Sequence, residues 1–166
     1  MSSKTYNVLF LCTGNSARSI MAECIMGRLG RSRFQAFSAG SQPSGKLHPQ
    51  TTSLLQGLDY NLATARSKSW TEFLLPGAPR MDFIFTVCDK AAGEVCPLWP
   101  GQPITCHWGV PDPADIPADS AGYAEQITAI YQMLYRRIEV FTSLQIEVLD
   151  ELALKARLEQ IGSTAA

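Results

Sequence analysis

Long apolar runs are missing from this chain. The first, Val8-Leu9-Phe10-Leu11, is four residues, far short of the roughly 20 that cross a bilayer and too short for a signal-peptide core. Neither a membrane span nor a leader is expected, and the expected location is the cytoplasm. An excess of one charge is missing as well, with 14 Lys and Arg against 15 Asp and Glu and a net charge of −1. Without a basic tract there is no electrostatic footprint for nucleic acid. Paired cysteine spacing is absent: five scattered cysteines argue against a secreted disulfide framework and against a zinc knuckle, and for a reducing compartment. No repeat, low-complexity stretch or interdomain linker interrupts the 166 residues, so residues 1–166 are expected to form one domain. A chain of that length buries about 70% of the surface its unfolded form exposes.

Apolar segments alternate with helical patterns. Strands are expected at Val8–Leu11, Phe34–Phe37, Phe83–Val87 and Ile104–Trp108, and helices after residue 18, at Pro49–Gln56, at Trp70–Leu75 and over a long stretch from Tyr123. In that long helix Tyr123, Ile127, Ile130, Leu134, Ile138 and Phe141 recur at helical spacing and form an apolar stripe that belongs to the core. A further helix is expected within 143–162, ending at Gly162. This order predicts an α/β fold in three layers, an open parallel four-stranded sheet with helices on both faces.

The segment with chemical meaning is Cys12-Thr13-Gly14-Asn15-Ser16-Ala17-Arg18-Ser19, between the first strand and the first helix. Main-chain N–H groups at such a turn are unpaired and converge on an anion. Gly14 is expected to allow close approach, Asn15 to tolerate left-handed backbone and brace the loop, and Arg18 to offer a planar fork to two oxygens. Ser19 can donate to a sulfur. The helix terminus and the guanidinium are expected to depress the Cys12 thiol pKa and make it a nucleophile. A cysteine six residues before an arginine is common by itself; the strand before it and the helix after it make the spacing informative.

These residues, with Ala22-Glu23, Ser38-Ala39-Gly40, Phe85-Thr86-Val87-Cys88-Asp89, Cys96-Pro97 and His107-Trp108-Gly109 before Asp112-Pro113-Ala114, resemble the low-molecular-weight phosphotyrosine phosphatase superfamily. Within it they resemble the thiol-linked arsenate reductases. The resemblance implies that Cys12 is the nucleophile, that Thr13 to Ser19 with Arg18 bind the oxyanion, and that Asp112 is the general acid. It implies arsenate as substrate with phosphate competing, and electrons from thioredoxin or from glutathione and glutaredoxin. Ala17 stands where the phosphatases, and many thioredoxin-linked reductases, carry a second loop cysteine, while Ala114 in place of a tyrosine that frames a phosphotyrosine ring and Ile20 in place of a proline depart from the phosphatases. Cys88 and Cys96 have seven residues between them rather than the six usual in thioredoxin-linked reductases.

Hydrolysis of a phosphocysteine needs one thiol, whereas reduction of As(V) needs a second that attacks the Cys12 sulfur. Cys88 at a strand end, or glutathione, is the candidate resolving thiol, and Cys96 the candidate for onward exchange. Cys24 is expected in the core and Cys106 beside a packed strand, with a part in the relay left open. His48 and His107 have no metal-ligand spacing, and neither a metal nor an organic cofactor is expected. Lys46, Arg66 and Lys68 are expected on the surface or at the pocket rim. A monovalent cation near Asn15 and Glu23, as in some relatives, and the choice between monomer and homodimer stay open. Phosphatase activity is the alternative reading, and a non-catalytic oxyanion or redox sensor a second.

Overall fold

A computed structural model describes residues 4–88 and 99–163 of the chain, so Cys96 lies outside the described residues. The elements are β1 (Tyr6–Cys12), α1 (Arg18–Gly30), β2 (Phe34–Gly40), α2 (Pro49–Gly57), β3 (Phe83–Thr86), β4 (Ile104–His107), α3 (Tyr123–Thr142) and α4 (Glu151–Gly162). The four strands form one sheet in the order β2-β1-β3-β4, with every neighbouring pair parallel.

β1 is central and buried on both sides, which is why it reads as a continuous apolar run rather than an alternation. Its period of two still sorts the side chains. Tyr6, Val8, Phe10 and Cys12 face a large core with α1 and α3, whereas Leu9 and Leu11 face a smaller one with Ala39, Met81 and Ile84. The stripe on α3 packs into the large core as expected, with Ile127, Ile130, Leu134, Ile138 and Phe141 buried and Tyr123 partly so. Among the described residues no helix is long and apolar enough to cross a membrane.

Several boundaries differ from the expectation. β2 continues to Gly40 because it pairs with β1 along its whole length, ending Cys12 against Gly40. The expected helix at 70–75 is a 3-10 turn, Trp70–Leu74, capped by Ser69. The expected helix within 143–162 is broken. A 3-10 turn at Ile146–Val148 precedes α4, which begins after Asp150 accepts a hydrogen bond from the Ala153 amide, an N-cap that satisfies one orphan donor.

α4 ends at Gly162, as expected, and a Cβ there would lie 2.5 Å from Trp108 Cδ1 and 2.8 Å from the His107 carbonyl oxygen. Glycine is required because the helix end rests on the chain leaving β4, where Trp108 Nε1 donates to the Leu158 carbonyl at 2.9 Å. Gly162→Ala is therefore expected to destabilise the fold by about 1–3 kcal/mol through overpacking, measured as a lower urea midpoint with an unchanged slope.

Candidate active site

In a parallel sheet the connections leave neighbouring strands in opposite directions at one point, and a crevice opens there at the carboxyl ends. Here that point is between β1 and β3. The Val87 amide donates to the Leu11 carbonyl at 2.9 Å, so Cys12 and Cys88, each at the end of its strand, come side by side. Both line a cleft of about 560 Å³ with Thr13, Arg18, Val110 and Asp112.

The loop from Cys12 to Arg18 is turned so that its carbonyls face away from this cleft. The Thr13 carbonyl accepts from the Gln42 amide, Gly14 from the Ser44 amide and Ser67 Oγ, and Ser16 from the His48 amide. Among the described residues no main-chain carbonyl takes the amides of Asn15, Ser16, Ala17 or Arg18. α1 begins after Ala17, which has no capping side chain. A serine or aspartate there would occupy the space that an anion can take.

The expected oxyanion contacts divide between two sides of the loop. Gly14, Ser16, Ala17 and Arg18 line the cleft. The side chains of Asn15 and Ser19 are fully buried behind it. Asn15 has φ 45°; its Nδ2 donates to Ser19 Oγ at 2.7 Å and its Oδ1 accepts from the Lys68 amide at 2.9 Å. It braces the loop, as its type and position predict. Thr13 lines the cleft as well, and its amide donates to Cys88 Sγ at 3.3 Å.

A Cβ at Gly14 would meet only Ser16 Oγ at 3.7 Å, so glycine there leaves the cleft side of the loop open, whereas at Gly40 a Cβ would strike the Thr13 carbonyl oxygen, so that position must be glycine for the two segments to meet. Lys68 is another correction. Rather than lying on solvated surface, its side chain is 9% exposed, with Nζ 2.9 Å from the Arg66 carbonyl, 3.3 Å from Ser38 Oγ and 3.8 Å from Glu23 Oε1. Ser38 Oγ in turn donates to Glu23. Burial lowers the Lys68 pKa from its ordinary value. The positive charge beside Glu23 is thus the chain's own ammonium group. Arg66 is exposed, as expected, and pairs with Glu72.

Arg18 reaches across the cleft mouth. Its Nη1 donates to the Val110 carbonyl at 3.2 Å and its Nη2 lies 3.0 Å from Asp112 Oδ2. Its Nε is buried and has no partner among the described residues. A buried unsatisfied donor is costly, and here it is left beside the open loop amides. Asp112 is held from below, because its Oδ1 accepts from the Ala114 amide at 2.9 Å and caps the turn Pro113–Asp115. Its extended backbone is what a residue before proline adopts.

Cys12 departs from the expected depressed pKa. Its hydrogen bond with Cys88 and its burial push the thiol up, against the pull of the Arg18 guanidinium and the Gly14 amide. Two sulfurs sharing protons titrate as a pair, and removing the second proton is what the pair resists. The sequence separates these cysteines by 75 intervening residues, so this coupling has no local signature. Cys24 is half-buried against the core, with burial pushing its thiol up to about 11. Cys106 is likewise half-buried and does not line the cleft. His48 caps α2 through its Nδ1, and His107 Nδ1 lies 2.7 Å from Thr86 Oγ1. Among the described residues no three His, Cys, Asp or Glu side chains gather as metal ligands.

A parallel sheet with an anion loop at the switch point and a cysteine at its base defines a class, and comparison with known proteins gives the family. The family model of low molecular weight phosphotyrosine protein phosphatase matches residues 7–150, and the chain belongs to that family. Among curated relatives, an arsenate reductase of Oceanobacillus iheyensis is 30% identical over 131 residues, covering 79% of this chain and 88% of the relative. One from Bacillus licheniformis is 33% identical over 132 residues, covering 80% and 87%. Among solved structures, a thioredoxin-dependent arsenate reductase of Corynebacterium glutamicum superposes with a TM-score of 0.64 at 26% identity, covering 89% of this chain and 65% of that one. A low molecular weight protein tyrosine phosphatase from T. tengcongensis shares the fold, with a TM-score of 0.65 at 22% identity over 84% of this chain and 100% of its own.

The geometry makes one pH-dependent expectation. Because Cys88 is the largest cause of the raised Cys12 pKa, Cys88→Ala should lower it, each unit giving about a tenfold larger thiolate fraction below the pKa. Iodoacetamide should alkylate Cys12 several-fold faster in the variant at neutral pH, with the midpoint of the rate profile moved to lower pH.

Proposed function

We propose that this protein is an arsenate reductase, forming arsenite through a Cys12–arsenic adduct that Cys88 resolves. The observation that carries the reading is the second thiol, Cys88, which the pairing of β1 and β3 places beside Cys12 in the lining of the same cleft. A hydrolase has no use for it there, whereas a two-electron reduction does. The relatives named arsenate reductase support the same conclusion.

Arsenate sits on the amides of the 14–18 loop and takes the Arg18 fork, including the unpartnered Nε. Asp112 is displaced from Arg18 and faces the bound oxygens. The Cys12 sulfur bonds to arsenic as one oxygen leaves as water, its two protons coming from the Cys12 thiol and Asp112. The Cys88 sulfur, held by the Thr13 amide, then attacks the Cys12 sulfur. The S–As bond breaks with its electron pair on arsenic, giving arsenite and a Cys12–Cys88 disulfide, and the Cys88 proton is released. Exchange with Cys96 would pass the disulfide on and free Cys12. Two electrons from thioredoxin, or from glutathione with glutaredoxin, restore the thiols. Phosphate binds the same cradle without being reduced.

Phosphatase chemistry uses Cys12, Arg18 and Asp112 alone. The described residues lining the cleft include no aromatic side chain to face a phosphotyrosine ring, and Ala114 and Asp115 form that wall. Arsenite formation with each donor system, measured beside p-nitrophenyl phosphate turnover, tests the reading. Arsenate turnover with weak phosphatase activity is expected; brisk phosphatase activity without arsenite overturns it. Cys12→Ser is expected to abolish arsenite formation, and Cys88→Ser to lower it by at least about a hundredfold, on the scale of losing a nucleophile. Wild-type turnover in Cys88→Ser would remove Cys88 from the mechanism.

A further inference from the structure

We infer that Arg137 is a positioning residue for Asp112, setting the segment that carries the acid against the oxyanion loop; this rests on the acid role proposed above. Arg137 lies on α3 among the residues of the apolar stripe and is 7% exposed. Its Nη1 donates to the Trp108 carbonyl at 3.1 Å and to the Gly109 carbonyl at 3.0 Å. The segment is bonded to β3 by its amides, Trp108 to the Thr86 carbonyl at 2.7 Å and Val110 to the Val87 carbonyl at 3.2 Å. Among the described residues β4 is the last strand of the sheet, and no further strand among them meets the carbonyls of this exit segment. Arg137 takes the first two and Arg18 takes that of Val110. Two guanidinium groups thus hold three consecutive carbonyls, one from within α3 and the other from the first residue of α1 at the end of the loop.

From Gly109 the path to the carboxylate is short and stiff. Pro111 and Pro113 flank Asp112, and fixed proline torsions carry a shift at 109 through to 112. Core filling does not account for the arginine. Trp108 is already fixed by its stack on Phe85, with ring centroids 3.8 Å apart, and by its bond to Leu158. A methionine would occupy the same volume without the desolvation of a charge. What the guanidinium supplies is a two-point register for main-chain oxygens.

The test combines Arg137→Met, Arg137→Lys, Asp112→Asn and the double variant Arg137→Met with Asp112→Asn. Arg137→Met should lower kcat for arsenite formation on the order of tenfold to a hundredfold, the range of a misplaced general acid, while the inhibition constant for phosphate does not rise, since an opened pair leaves Arg18 to the anion. On the Asp112→Asn background the same substitution should add no further loss, since the two act through one step. An equal proportional loss on both backgrounds would make Arg137 merely structural and overturn the inference. The crystal structure of Arg137→Met should show the Arg18–Asp112 pair opened beyond about 4 Å, out of ion-pair reach, with residues 12–18 unmoved; an intact pair also overturns it. Should wild-type protein form no arsenite, the reductase reading falls alone and the crystallographic result still decides. Arg137→Lys keeps the charge without the fork and carries the same measurements if the methionine variant does not fold.

Discussion

Outward-turned carbonyls in one seven-residue loop are the constraint on which the site depends. Peptide units have two ends, and the loop's N–H groups can point at a ligand only if their oxygens find partners elsewhere. Residues 42, 44, 48 and 67 supply those partners, and the Lys68 amide fixes the left-handed Asn15 that turns the chain. The anion cradle is therefore a property of three loops. Gly40 belongs to the same device, because any side chain there would strike the Thr13 carbonyl oxygen.

Charge is arranged around this cradle in two shells. Inside, Arg18 holds the carboxylate of Asp112 while its Nε remains unpartnered, so the free site is partly self-occupied and partly unsatisfied. Behind, Lys68 and Glu23 set a buried ammonium near a carboxylate with Ser38 between them. A buried lone charge would be severely penalised, and the pair with its added hydroxyl limits that penalty. The outcome is a rigid floor beneath a loop that must accept and release a charged solute without collapsing.

Much of this architecture is legible in the sequence, for reasons that differ by element. The continuous apolar run of β1 and the 3.6-residue stripe of α3 report burial directly, so strand and helix follow from local pattern. Gly40 is legible only as part of a family motif and Lys68 only as a surface or rim lysine, because neither residue type signals what stands opposite it, the Thr13 carbonyl in one case and Glu23 with Ser38 in the other. The Cys12 thiol illustrates the same limit. Its helix terminus and arginine argue for a depressed pKa, but the neighbouring Cys88 and the depth of burial reverse the direction.

By itself the chain's order of residues determined the parallel α/β plan, the place of the oxyanion loop between a strand and a helix, and the candidates Cys12, Arg18, Asp112 and Cys88. The plan, the loop, Cys12 and Arg18 are matters of local spacing, whereas Asp112 and Cys88 became candidates through the resemblance of dispersed motifs to a known family. Tertiary structure alone decided which thiol meets which, that the Thr13 amide reaches Cys88, and that Arg18 and Arg137 hold successive carbonyls beside Asp112. Those pairings depend on strand adjacency and on loops meeting across the sheet end, and contacts between residues distant in the chain are set by packing of the whole.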